Sequence, residues 1–279
     1  MLDTLVLFFS ERFVWYGMIV LVLVSLCAAL LGSSLVLKRF SMIGDGLSHV
    51  AFGASAIAAV LSLAPMLVAI PLTVVSAVLL LRLNNNSKIK GDSAIAMISS
   101  GALAFGYLMM NLFPSSASNI SGDACTALFG SASILGLSTA DVVTCIVLAA
   151  AVILFFILFY NKIFAVTFDE SFASATGTKA ELYNTLLAIT TGVVIVIAMK
   201  MVGALLISAL IIFPALSSMR IFKSFFTVII SSVCIGLFCS VFGGITSMLA
   251  STPVGPTVVA FNIFVFVIFW AFGKLRQGK

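Results

Sequence analysis

Residues 140–161, ADVVTCIVLAAAVILFFILFYN, carry one charged side chain in twenty-two and neither glycine nor proline. As a helix the run is about 33 Å long at 1.5 Å per residue, enough to cross the roughly 30 Å hydrocarbon core of a bilayer. Working outward from it, eight further apolar runs follow the same pattern, at about 14–37, 43–62, 65–83, 94–113, 183–199, 203–219, 225–249 and 254–273. Hydrocarbon offers backbone amides no partner, so runs of this length have to satisfy their own hydrogen bonds as helices. The chain reads as an all-α polytopic membrane protein of about nine transmembrane helices, a single transmembrane domain spanning 1–279.

Composition agrees. Of 279 residues, 62% are hydrophobic and 8% charged, against about a quarter charged in a soluble domain, which excludes a soluble enzyme. The 14 basic and 9 acidic residues give a net charge of +5. Alternate loops place twelve of the basic residues on one side, from Lys38, Arg39 and Arg82 to Lys274, Arg276 and Lys279, and leave Arg12 and Lys200 on the other. Basic loops stay in the cytoplasm, so the N-terminus is expected outside and the C-terminus inside. The basic excess is then a topology signal, and no nucleic-acid partner is expected. The start, MLDTLVLFFSERF, has no basic stretch before its apolar part and no small-residue cleavage site, so it is read as part of the mature chain. Five cysteines form no CxxC pair, which predicts neither a disulfide framework nor a thiolate zinc site. The only GxxxxGK spacing, GKLRQGK at 273–279, lacks the following Ser or Thr. With no HExxH or GxSxG motif either, the chain is expected not to be an enzyme and not to bind nucleotide itself.

One stretch breaks the apolar pattern with chemistry. KRFSMIGDGLSHVAFGASAIAAVLS (38–62) holds Asp45 and the only histidine, His49, just inside the second run. Residues at i and i+4 share a helix face, and an aspartate within a span costs roughly 2.5–3.5 kcal/mol on insertion scales, so Asp45 needs a partner. A carboxylate and an imidazole are half of a four-coordinate site for a divalent ion, and a two-fold copy would supply the rest. The competing reading is structural: an Asp–His hydrogen bond at a kink, or a carboxylate solvated beside Lys38 and Arg39. Gly44, Gly46, Ser48, Ala51, Gly53, Ser55 and Ala59 keep this helix slim, with Ala51, Ser55 and Ala59 as a small-xxx-small row.

Three other segments stand out. In VTFDESFASATGT (166–178), Phe168 and Phe172 lie at i, i+4 beside Asp169 and Glu170, with Gly177 as a helix stop. A short amphipathic helix there either enters a partner's groove or lies against the bilayer. Pro214 sits within a span and frees the carbonyl of Leu210, which lines a path or eases packing. Residues 114–139, with Asp123 and no Lys or Arg, form the longest external segment, either a platform with a re-entrant helix at 122–135 or a packed loop. Met109, Met110, Met199 and Met201 are read as packing rather than as metal ligands.

LVLKRFSMIGDGLSHVAFGASAIA (35–58), the 166–178 segment, VGALLISALIIFPALSS (202–218) and STPVGPTVV (251–259) together resemble the membrane permease subunits of bacterial ATP-binding-cassette importers for zinc, manganese and iron, over about residues 12–273. The resemblance implies a type II importer permease in the bacterial cytoplasmic membrane. Asp45 and His49 would line the metal path, and Phe168, Asp169, Glu170, Phe172 and Gly177 would dock on a cytosolic ATP-binding subunit. It further implies an extracytoplasmic metal-binding solute protein, a second permease copy and no permanently bound cofactor, with the divalent ion (zinc first, manganese or iron otherwise) as transported substrate. Thr252 departs from the pattern, since the family commonly has an acidic residue before the proline. The alternative class is an ion-coupled secondary transporter with Asp45 and His49 as proton or cation relay; it would show paired broken helices in inverted repeats, and none is visible.

The charge count sets a topological test. Single cysteines at Ser87 and Ser116, in a background without native cysteines, are expected to label from opposite faces of the membrane. Labelling of the Ser87 position from outside intact cells would reverse the orientation.

Overall fold

The computed structural model describes residues 11–86, 91–113 and 136–277. Within these the elements are α1 (Arg12–Leu37), α2 (Ile43–Val60), α3 (Pro65–Asn86), α4 (Gly91–Leu112), α5 (Thr139–Phe168), α6 (Glu170–Ala175), α7 (Ala180–Val202), α8 (Ala204–Ile221), α9 (Phe225–Ala250) and α10 (Val254–Gln277), and no strand. All but α6 are long and apolar enough to cross a membrane, which makes nine such helices among the described residues.

The helices sort into an inner set and an outer set. α1, α2, α7 and α8 bury most of their apolar length, with 72% of the most apolar window of α1 buried against 17% for α10. α1 packs against α5, α7, α8 and α9, while α2 is walled by α3 and α4 with α7 and α8 behind it. Leu31 and Leu35 of α1, Ile195 of α7, and Leu210 and Ile211 of α8 are fully buried at the centre. Leu67, Val147, Leu158 and Phe264 on outer helices are exposed, as lipid-facing side chains should be. With lipid tails as apolar as leucine, helix association depends on close packing rather than on escape from water.

Most boundaries fall within four residues of the hydropathy runs, and two features stand apart. α5 extends seven residues past Asn161 because Ile163 and Val166 continue its buried stripe. α7 and α8 are separated by Gly203 alone, at φ 92° and ψ 155°, so the chain changes direction in a single residue. The 166–178 segment is not one helix, as described below.

Small residues set the closeness of α2 to α4. A Cβ on Gly53 would lie 2.6 Å from the Ala102 carbonyl oxygen, whereas one on Gly101 would meet nothing within 4 Å. Gly53→Ala is therefore expected to destabilise the bundle by about 1–3 kcal/mol, and Gly101→Ala to leave it unchanged or slightly more stable. Thermal unfolding of the two variants in detergent checks the contrast, and equal midpoints would contradict it.

Candidate functional site

The turn between α1 and α2 is built before the site it carries. Lys38 caps α1, the Arg39 amide donates to the Val36 carbonyl at 3.0 Å and the Phe40 amide to that of Leu35 at 2.9 Å. With Arg39 left-handed at φ 65°, this is a Schellman end. Phe40 is buried, and its carbonyl receives the Ile43 amide at 3.1 Å, where α2 begins. Asp45 thus falls in the first turn of α2, where unpaired amides and the helix dipole favour a carboxylate.

His49 follows one turn later, its Nε2 3.5 Å from Asp45 Oδ2. That is too long for a good hydrogen bond, yet it suits two donors sharing an ion, since ligands on a tetrahedral zinc stand about 3.3–3.5 Å apart. The Asp45 side chain is 42% exposed and that of His49 17%, so the carboxylate opens to the surroundings and the ring is held by packing. His49 Nδ1 is buried without a hydrogen-bond partner among the described residues. Ser48 is occupied by its own helix, donating to the Gly44 carbonyl at 2.7 Å. No group of three or more His, Cys, Asp or Glu gathers among the described residues, so one chain offers two donors here. The slim faces of α2 admit its neighbours: a Cβ on Gly46 would meet Ile95 of α4 at 2.6 Å, and one on Gly44 would meet Ile211 of α8 at 3.0 Å.

The aromatic segment takes a different form from the single helix expected at 166–178. α5 runs on to Phe168, the chain turns extended at Asp169, and α6 occupies only Glu170–Ala175. The cause is a cap: the Asp169 carboxylate accepts the Phe172 amide at 2.9 Å, which starts a new helix. Phe168 and Phe172 consequently part. Phe168, at the end of α5, packs one side on Phe164 and Phe225, with ring centroids 5.0 and 5.8 Å away, and is still 57% exposed; Phe172, on α6, is 65% exposed. Gly177 ends the helix as the sequence suggested, at φ 82°, with Thr178 donating back to the Ala173 carbonyl at 2.9 Å. Ala173 is fully buried against Val166 and Ala180, so α6 is seated on the ends of α5 and α7.

Lys38, Asn184 and Glu170 form a cluster that sequence reading did not single out. The Lys38 ammonium donates to Asn184 Oδ1 on α7, and burial pulls its pKa from 10.5 down to about 8, opposed by the nearby Glu170 charge. Asn184, a polar residue at the head of an apolar run, was the available signal. Arg82 and Glu181 pair at 3.1 Å at this same end of the bundle, and Lys200 and Asp141 at 3.6 Å join α7 to the start of α5. Exposed pairs of this kind contribute little.

Pro214 is buried inside a continuous α8. Its carbonyl accepts from Ser232 of α9 at 3.3 Å, and Ser232 shares a 2.7 Å hydrogen bond with Ser218. Met201 accepts from the Cys145 thiol at 3.0 Å in the buried core; Cys27, Cys145, Cys234 and Cys239 are free. Thr252 hydrogen-bonds Thr257 through their hydroxyls at 2.8 Å. Asp123 and the helix expected at 122–135 lie outside the described residues.

The comparisons with known proteins cover the whole bundle. The profile of a family described as the ABC 3 transport family matches residues 10–273. A manganese import system permease protein, ScaB of Streptococcus gordonii, is 28% identical over 96% of this chain and 94% of its own. ZnuB of Haemophilus influenzae, the membrane protein of a high-affinity zinc uptake system, is 26% identical over 88% of this chain and 92% of its own. A solved structure of PsaBC from Streptococcus pneumoniae in complex with Fab superposes with a TM-score of 0.84 at 27% identity, covering 99% of this chain and 100% of that one.

Asp169 gives this region its test. Loss of an N-cap carboxylate costs about 1 kcal/mol, so Asp169→Ala is expected to speed amide exchange in α6 roughly fivefold and leave α5 unchanged. Unaltered exchange at Phe172 and Ala173 would contradict the capping role.

Proposed function

The chain belongs to the ABC 3 transport family, and on that footing we propose that it is the translocation-pathway subunit of an ATP-driven importer of divalent transition-metal ions, zinc first, with manganese and iron as the other candidates. The observation that carries the reading is the Asp45–His49 pair, 3.5 Å apart on a helix slim enough for close neighbours. A permeation site has to release its ion. Two donors per chain, completed by the same two from a second copy across a two-fold axis, hold a divalent ion without the closed thiolate cage of a structural site. Asp45 supplies negative charge that offsets desolvation of the ion, and His49 supplies the borderline donor that zinc accepts well and that manganese and iron tolerate.

The energy input comes from cytosolic ATP-binding subunits, since the chain carries no phosphate-binding loop of its own. α6 offers the docking element: Phe172 is exposed and Ala173 anchors the helix to the bundle. An aromatic that fills a partner's groove contributes roughly 1.5–3 kcal/mol through buried area. An extracytoplasmic binding protein would deliver the ion at the opposite end, near Lys200 and Asp141.

Asp45→Asn and His49→Ala are expected to abolish zinc and manganese uptake in cells that carry the complete system, with membrane levels of the permease near normal, because removing a costly intramembrane charge does not destabilise the span. Wild-type uptake in His49→Ala would overturn the metal-path assignment. Uptake that persists when ATP is depleted and collapses with an ionophore would overturn the ATP-driven class in favour of a secondary transporter.

A further inference from the structure

Between α6 and the turn that feeds α2 lies a cavity of about 250 Å³, lined by Lys38, Arg39, Phe40, Glu170 and Asn184 among others. Lys38 is the residue that reaches across it. Its ammonium is hydrogen-bonded to Asn184 on α7 and lies in the field of Glu170, the first residue of α6. Its backbone is the cap of α1, with the Arg39 and Phe40 amides tied back to Val36 and Leu35. The eight residues from Lys38 to Asp45 are a short, tied connection: a left-handed residue and a buried phenylalanine lead through the two-residue turn Ser41–Met42, closed by the Ile43 amide on the Phe40 carbonyl, into the first turn of α2. A displacement of α6 that acts on the Lys38 ammonium therefore acts on the base of the helix that holds Asp45 and His49.

We propose that Lys38 is a positioning residue that couples α6 to α2, its attraction to Glu170 across the shared cavity setting the geometry of the Asp45–His49 pair. The inference rests on the reading of α6 as the ATPase dock and of the pair as the transport site. A lysine fully in water would be a poor transmitter, because an exposed pair gains little and is screened. Lys38 is half-buried, so its charge is poorly solvated and feels Glu170 across the cavity more strongly than an exposed ammonium would. The charged groups that face it are Glu170 on α6 and Arg39 in its own turn. α3 contributes Leu81, α5 contributes Val166, Thr167 and Phe168, and α7 contributes Asn184, none of them titratable. Burial brings the deprotonation of Lys38 to about pH 8, so above that pH the attraction to Glu170 is lost with the ammonium charge.

The test is the number of ATP molecules hydrolysed per zinc or manganese ion taken up, measured on the permease reconstituted in vesicles with its ATP-binding subunits. Lys38→Met and Glu170→Gln are each expected to raise this ratio about tenfold, within the ordinary range of coupling between sites. The double variant is expected to be no worse than either single one, as for two halves of one interaction. In the wild type the ratio rises as pH passes about 8, and in Lys38→Arg, which stays charged, it stays flat. A merely structural lysine would lower the yield of protein and leave the ratio alone. A wild-type ratio in Lys38→Met, additive effects in the double variant, or a wild-type profile as flat as that of Lys38→Arg overturns the proposal. If Lys38→Met fails to fold, Glu170→Gln decides, and an unchanged ratio there overturns it. ATP-driven uptake by the wild type, with a ratio that neither variant moves, rejects Lys38 alone; uptake by the wild type that ignores ATP rejects the importer reading and the proposal with it.

Discussion

Hydrocarbon gives no hydrogen bond to a peptide group or a carboxylate, and the architecture of this chain follows from that shortage. Backbone groups respond by forming nine long helices among the described residues. Hydroxyls respond locally, Ser48 and Thr191 each bonding the carbonyl four residues earlier. Asp45 and His49 do not satisfy each other, since their 3.5 Å separation falls short of a good hydrogen bond. They sit at the start of α2 with small residues around them, and the valence they leave unused is the basis of the proposed site.

Outside the hydrocarbon the chain solves the same accounting with caps. Arg39 and Phe40 close α1, Asp169 opens α6, and Gly177 and Thr178 close it. These motifs fix short connections in place at the end of the bundle where α6 sits. A six-residue helix has no stability of its own. α6 persists because Asp169 holds its first turn and Ala173 is packed between Val166 and Ala180. Phe172 is left presented outward on a seated platform, which is what docking by a partner requires and what a loosely tethered loop would not provide.

The fold was legible because apolar runs of 17 to 25 residues leave few alternatives to spanning helices, and Asp45 and His49 were legible because ionisable groups in such runs are rare. The i, i+4 spacing that placed them together also suggested Phe168 and Phe172 on one helix, and there it misled. Asp169 competes for the Phe172 amide, and a local cap overrode the periodicity. The Lys38, Asn184 and Glu170 cluster was hidden for another reason: it joins positions 146 residues apart in sequence, and only the packing of α7 beside α1 brings them together. The small residues of α2 and α4 were visible in the sequence, but which glycines meet a neighbour, Gly53 of α2 and not Gly101 of α4, depends on helix rotation.

The central claim is that Asp45 and His49 of one chain are half of a transport site. Metal-edge X-ray absorption on the reconstituted complex, loaded with zinc and washed, reads both the stoichiometry and the ligands directly. The account predicts one ion for every two permease chains, with a first shell of mixed nitrogen and oxygen at about 2.0–2.2 Å that disappears in His49→Ala. A sulfur-containing shell, one ion held by each chain alone, or an unchanged shell in His49→Ala would contradict it.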